Sequence, residues 1–420
     1  MASTPQPAAA PTGVLRSRNY QFYILTFMGV VALMDQYLTT VESTAIPYLL
    51  ADYQIEAADF ASLKARFLII TFFVFALNAL NDLFGRKPAI LVLILLMGLS
   101  SLALVFLTPT LLLFMTFYAL AMFATVSNMW TIAVGEESPG QKRARYTAIV
   151  FAIGLLPVQA YLPLILVQRL GLNWRWTYGV AFILLIPALG LWLFMKETGR
   201  YRQIRTERKT RPAWRDLTGL GKLERADLRY VVLAAAVGLG VLVAITLAFW
   251  SGYFFMKVRG YTLAGWSSVF FGILAFQIVG SLSGGWLMDR VGRNRLFIAG
   301  GLGMSVMLAS FGFLPPALLP FVCAATGFPI GIVSTWLVVY IPEIFPTERR
   351  GVCVGWVMSL VRLSYVVGPA LAALLLRRFP TMEGFWVAAG LVMLVPVAIV
   401  FFVRPFETRG LELEAIAARR

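Results

Sequence analysis

The chain has 420 residues, 60% of them hydrophobic and 13% charged, with a mean hydropathy of +0.80. A soluble fold of this size cannot hide so much apolar side chain, so the chain uses lipid as its solvent. Its net charge of +16 does not mark a nucleic-acid binder, because Lys and Arg are spread along the chain rather than gathered in one patch.

The leader Met1 to Thr12, rich in Ala and Pro, runs into Arg16 and Arg18 before any apolar stretch. It reads as a disordered cytoplasmic tail (1–19) rather than a cleaved signal. Apolar runs of about 20 residues then recur to the far end, the length a helix needs to cross a hydrocarbon core about 30 Å thick. They exclude an outer-membrane barrel, whose strands are short and alternate. Twelve spans are predicted, at 20–50, 60–81, 88–107, 110–135, 144–168 and 176–195, then 228–256, 264–288, 295–314, 317–341, 350–376 and 384–403. The hydrophilic stretch 196–227, dense in Arg and acids, reads as a cytoplasmic central loop between an N-terminal half (20–195) and a C-terminal half (228–403), with a second cytoplasmic tail at 404–420. With the N-terminus inside, most Lys and Arg fall on inner segments, which places both termini in the cytoplasm of a multi-pass inner-membrane or plasma-membrane protein.

The halves read as copies at an offset of 207 residues. Asn78 to Lys87 falls on Gly285 to Asn294, aligning Leu80, Asp82, Gly85 and Arg86 with Leu287, Asp289, Gly292 and Arg293. The same offset lays Glu136, Pro139 and Arg143 on Glu343, Pro346 and Arg350. These motifs resemble the signature of the major facilitator superfamily in its second-to-third and eighth-to-ninth loops, with Asn78 and Leu83 as departures. Pro342 to Gly351, Gly355, Arg362-Leu363, Gly368-Pro369 and Glu407 to Gly410 resemble the sugar-porter and aromatic-acid:proton-symporter branches. The resemblance implies an all-α membrane fold of two pseudo-symmetric six-helix halves, alternating access, and a monomer. For Asp82, Arg86, Asp289 and Arg293 it implies a gate latch in which the loop acid caps a helix of the other half and pairs with Arg. Glu136 with Arg143 and Glu343 with Arg350 would complete each half's network. The plainer reading of all these charges is a solvated topogenic signal.

Charges inside spans are costly and normally serve a purpose. Asp35 and Glu42 lie seven residues apart in the first span, two helical turns on one face, with Glu42 about 10 Å nearer the outside. They read either as a proton or cation relay or as acids bound permanently to Arg or backbone donors. The chain has no His and only two Cys, so neither a metal site nor a disulfide framework is indicated, and proton traffic would fall to buried carboxylates. Relative to aromatic-acid symporters, Asp35 and Pro47 match the first-span pattern, Leu38 stands for its second Asp, and Thr116 stands where the family has Arg. Arg362, read as the sole basic residue in mid-span, either neutralises such an acid or grips an anionic substrate group. Asn128, Gln159, Gln277, Trp336 and Tyr340, with Trp130, Trp250 and Tyr253, are candidates to line a central cavity, although an aromatic taken singly is more often packing or an interfacial belt residue.

No nucleophile–base pair, cofactor loop or ATPase motif is present, so no enzyme and no cofactor are expected, and transport would run on gradients. The expected function is secondary transport of a small organic solute, an organic acid or sugar-like metabolite, coupled to protons or another ion in symport. The alternatives are a proton-driven efflux antiporter of an amphipathic compound and a solute sensor that does not transport.

Overall fold

The computed structural model describes residues 17–125, 127, 129–138, 143–198, 224–345 and 350–408. Most of the two expected tails and of the central loop lies outside them. The described residues form helices and no strand. Twelve spans follow in order. The first is Arg18–Thr40 continued by Glu42–Asp52, and the second joins Ala57–Phe67, Leu68–Phe73 and Val74–Leu83. Arg86–Phe106 is the third; Leu111–Ala124 and Met129–Glu137 make the fourth. The fifth runs from Arg143–Gly154 through Pro157–Tyr161 and Leu162–Leu164 to Ile165–Arg169, and Trp176–Phe194 is the sixth. The C-terminal half begins with Arg225–Ala248, Ser251–Tyr253 and Phe254–Val258 as the seventh, Leu263–Val291 as the eighth and Arg293–Ser310 as the ninth. Leu319–Ala325 with Gly327–Glu343, Arg350–Val361 with Ser364–Arg378, and Glu383–Val403 complete the set. Eleven of these spans are long and apolar enough to cross a membrane. Arg293–Ser310 carries Arg293 and Arg295 in its first turn, which lowers its hydropathy without shortening it.

Several spans break part-way, and local chemistry explains where. In the first, Thr39, Thr40 and Ser43 turn their hydroxyls back onto the carbonyls of Asp35, Gln36 and Thr40, which bends a helix. Pro47, one turn on, has no N–H for the carbonyl of Ser43. The fifth span breaks after Gly154, where Pro157 opens a 3₁₀ turn. The fourth leaves helical geometry at Thr125, whose backbone is extended. The eleventh tightens at Arg362-Leu363, with Tyr365 N–H on the carbonyl of Arg362 and Leu363 N–H on that of Leu360.

Within the halves, the third span packs on the sixth, the first on the fifth, the eighth on the tenth and the ninth on the twelfth. The halves meet where the second span lies along the eleventh, the fifth along the eighth and the end of the first along the seventh. These junctions cluster on the side opposite the termini. Trp266 Nε1 donates to Thr44 Oγ1 at 2.9 Å, Phe60 packs on Trp250, Tyr161 on Phe271, and Arg377 pairs with Asp59 at 2.8 Å. Gly252 lies so close to the carbonyl of Ser43 that a Cβ would sit 1.8 Å from its oxygen. The bundle is therefore closed on the far side.

Candidate functional site

Among the described residues, four charged side chains lie buried away from the span ends: Asp35 and Glu42 in the first, Lys64 in the second and Arg362 in the eleventh, whereas the buried Arg86, Glu137, Asp227 and Arg293 sit in the first or last turn of their spans. Burial of an unpaired charge is costly, so each has to find a partner. Asp35 is 1% exposed and accepts a hydrogen bond from Trp130 Nε1 at 3.1 Å. Glu42, one bend further along, is held at both carboxylate oxygens by the ammonium of Lys64, and Tyr118 Oη donates to Oε2 at 2.7 Å. Trp130 and Tyr118 both belong to the fourth span, so the two acids face it together, although the turn at Val41 separates them. Lys64 also stands over the Tyr118 ring, 5.9 Å from its centroid. Tyr118 is itself fixed by stacking on Phe114.

Arg362 sits where the broken eleventh span meets the broken fourth. Its Nη2 donates to the carbonyl of Thr125 at 3.2 Å, the point at which Leu111–Ala124 ends and its last carbonyls point outward. A cation there also favours the negative end of the helix dipole. The guanidinium lies 5.6 Å from the Tyr365 ring and is close enough to Asp35 to feel its charge. Nη1 is buried and finds no hydrogen-bond partner among the described residues. Gln159 of the fifth span is 1% exposed, gives Nε2 to the carbonyl of Gly154 at 3.3 Å, and leaves Oε1 unpaired among the described residues. An unpaired donor and acceptor of this kind are what a polar solute can satisfy.

Trp336, Tyr340 and Trp250, expected as cavity residues, pack elsewhere. Trp336 and Tyr340 stack on each other on the side of the termini, where Trp336 Nε1 donates to Asn294 Oδ1 at 3.4 Å and Tyr340 Oη to the carbonyl of Phe406 at 2.6 Å. They pack the end of the C-terminal half on the side of the termini rather than line a central site. Gln277 is half-buried, and its backbone lies against Gly327 and Gly331 of the tenth span. Trp250 packs between Phe60 and Tyr253 at the junction of the halves. Asn128 lies outside the described residues. Lys64, Tyr118 and Tyr365 were not singled out from the sequence, and Lys64 is the consequential omission.

On the side of the termini, each half holds a matching ion network. Arg86 Nη2 pairs with Glu136 Oε1 at 2.7 Å, Thr198 Oγ1 donates to Glu136 Oε2 at 2.6 Å, and Glu197 accepts the N–H groups of Arg86 and Lys87 at the start of the third span. In the other half Arg293 Nε meets Glu343 Oε2 at 3.3 Å, Thr408 Oγ1 donates to the same oxygen at 2.5 Å, and Glu407 accepts the N–H groups of Arg293 and Asn294. Asp289 pairs with Arg293 at 2.9 Å. The acids at 136 and 343 thus engage Arg86 and Arg293, whereas Arg143 and Arg350 had been expected as their partners. The starts of the third and ninth spans are capped by Glu197 and Glu407 of the same half. The side chains of Asp82, Arg143 and Arg350 lie outside the description.

A twofold-repeated helical bundle, sealed at one end and carrying a matching ion network within each half at the other, with charged groups and unpaired polar atoms in its interior, is the architecture of a solute carrier. The sequence profile of the Major Facilitator Superfamily matches residues 25–336 and again 261–418, and the chain belongs to that family. It is a secondary transporter of a small organic solute rather than an enzyme. Among curated relatives it is 26% identical to a gallate transporter of Pseudomonas putida, over 83% of this chain and 84% of that one. It is 24% identical to a 4-hydroxybenzoate transporter of Pseudomonas aeruginosa, over 85% and 86%. The fold superposes on the inward-open xylose transporter of E. coli with a TM-score of 0.74 at 17% identity, covering 95% of this chain and all of that one.

Proposed function

We propose that the protein imports a small aromatic carboxylate together with a proton, exposing a central site alternately to the two sides of an inner or plasma membrane. The observation that carries this reading is Arg362, a buried guanidinium held between two broken spans of opposite halves with one N–H face still to be satisfied. A planar cation fork of that kind suits a carboxylate. The names of the relatives, transporters of gallate and 4-hydroxybenzoate, support the substrate class. Asp35 and Glu42 supply the proton-carrying groups, Gln159 supplies a further solute contact, and the Arg86–Glu136 and Arg293–Glu343 networks steady the ends that move. The basic residues crowd the side of the termini, which supports a cytoplasmic location for both. The far-side closure then makes this a conformation shut to the outside.

The test is uptake by proteoliposomes of benzoate, 4-hydroxybenzoate and gallate, with and without an inward proton gradient. Accumulation of at least one acid only under the gradient is expected, and Asp35→Asn should abolish that accumulation while leaving exchange of pre-loaded acid. Failure of the unmodified protein to take up any of the three, or equal accumulation by Asp35→Asn, would overturn the reading.

A further inference from the structure

The Glu42–Lys64 pair has no place in a purely structural account of the bundle. Buried ion pairs gain little over well-packed apolar residues, so the membrane interior gives no reason to keep one for stability. Its position supplies a reason. Ser43 and Thr44, the residues next to Glu42, carry the contacts to Gly252 and Trp266 of the other half, and Phe60, one turn from Lys64, packs on Trp250. The pair therefore lies directly under the far-side seal. Glu42, Lys64 and Tyr118 all belong to the N-terminal half, so opening that seal wets the pair without pulling it apart.

Resting on the function proposed above, we infer that Lys64 is the residue that first captures the solute carboxylate from the outer side, and that Glu42 holds it in reserve until a proton arrives. In the closed state both Glu42 oxygens engage the ammonium, so its charge is already neutralised and draws in no second carboxylate. When the seal opens, a proton from the outer water binds Glu42, the pair loses its charge attraction, and the ammonium turns to the solute. The solute replaces Glu42 on Lys64 as the proton replaces Lys64 on Glu42, so the fixed charge of the site is unchanged by loading. Tyr118 stays in place through its stacking on Phe114 and gives its hydroxyl to whichever carboxylate lies alongside. Tyr178 of the sixth span and Tyr365 of the eleventh also lie close enough to feel the charge of Glu42 and neither is basic, so among the described residues Lys64 is the base that pairs with it. A proton must bind before the acid, and this order couples the two.

The experiment measures equilibrium binding of 4-hydroxybenzoate, and of its uncharged methyl ester, to the purified protein across pH 5 to 9, using Glu42→Gln, Lys64→Met and the double variant. The double variant leaves no unpaired charge and guards against misfolding of Lys64→Met. For the unmodified protein, affinity for the acid falls about tenfold per pH unit once Glu42 is ionised, because one proton binds with each acid. Glu42→Gln binds the acid tightly with no such slope, since Lys64 is permanently released. Lys64→Met and the double variant lose about 10- to 100-fold in affinity for the acid and little for the ester. A double variant that binds the acid as tightly as the unmodified protein, with the same pH slope, overturns the assignment of Lys64 while leaving carboxylate transport intact. An unmodified protein that neither binds nor transports any of the three acids overturns both.

Discussion

Gly252→Ala should hold the transporter open to the outside. The Cβ would lie 1.8 Å from the carbonyl oxygen of Ser43 and 2.7 Å from its carbon. That oxygen is backbone, free of the usual helical N–H because Pro47 follows one turn later, and it has no rotamer by which to retreat. Relief requires the first and seventh spans to separate, which they do only when the far-side seal opens. Overpacking of this kind costs about 3 kcal/mol at the upper end of its usual range. Applied to an equilibrium near unity, that is a shift of about 150-fold toward the outward-open state. Spin labels at Ser62→Cys and Leu374→Cys, which face each other across a groove between the second and eleventh spans, would report it as a longer distance. The native Cys323 and Cys353 are buried and should not label. Gly280→Ala is the control: its Cβ would meet the carbonyl of Phe328 at 2.1 Å within one half, so it should lower Tm without moving the distance. If Gly252→Ala behaves like Gly280→Ala, or leaves distance and uptake unchanged, the close approach does not govern closure.

Two further substitutions probe the charge networks. Arg293→Ala removes the partner of a mostly buried Glu343, and since that acid keeps Thr408 as a donor the loss should be about 1 to 2 kcal/mol in Tm-derived stability. Initial-rate measurements should show a lower maximal rate with KM within about twofold, because the network lies far from the solute; a KM effect that dominates would place Arg293 in binding instead. Asp59→Ala should change uptake by less than about twofold, since its pair with Arg377 is more than half exposed on both sides and worth under about 1 kcal/mol. A large loss would make that pair part of the outer latch.

The spans and the repeat were legible because they rest on terms that lipid makes large: apolar length, charge asymmetry and a loop motif that recurs at one offset. Lys64 was missed through a boundary. With the second span drawn from 60, a lysine at 64 reads as a charge of the outer edge, but the helix begins at Ala57, which sets Lys64 about 10 Å into the span and turns it inward while Arg66 faces out. Trp336 and Tyr340 were misplaced by the opposite error. They lie seven and three residues before Glu343, which is tied to the networks at the membrane's edge, and depth counted from that acid would have put them near the edge too. The break in the fifth span announced itself through Gly154 and Pro157, whereas those in the first and eleventh depend on hydroxyl back-bonding and on Arg362 reaching another half, which no local pattern shows.

The two halves are alike in their end networks and unlike in their buried charges, and on the proposed function this bears on the stoichiometry of transport. At the offset that superposes Arg86 on Arg293 and Glu136 on Glu343, the buried charges have apolar counterparts: Asp35 falls on Leu242, Glu42 on Phe249, Lys64 on Phe271, and Arg362 on Leu155. On the proposed function, repetition of the end networks would let each half rock by the same contacts, while the unrepeated charges would confine the chemistry to one central seam. Those charges are two acids and two bases, so the empty site is neutral overall. A monocarboxylate entering alone would leave a net negative charge in a low-dielectric interior, whereas one entering with one proton preserves neutrality. The loaded and empty carriers then cross with the same charge, and the membrane potential does no work on either. Accumulation of a monocarboxylate in proteoliposomes should accordingly follow an imposed pH gradient at zero potential and be insensitive to a potassium diffusion potential set with valinomycin at equal pH. Uptake driven by an inside-negative potential alone would mean that more than one proton accompanies each acid, and the neutral sum of Asp35, Glu42, Lys64 and Arg362 would not be what limits the cycle.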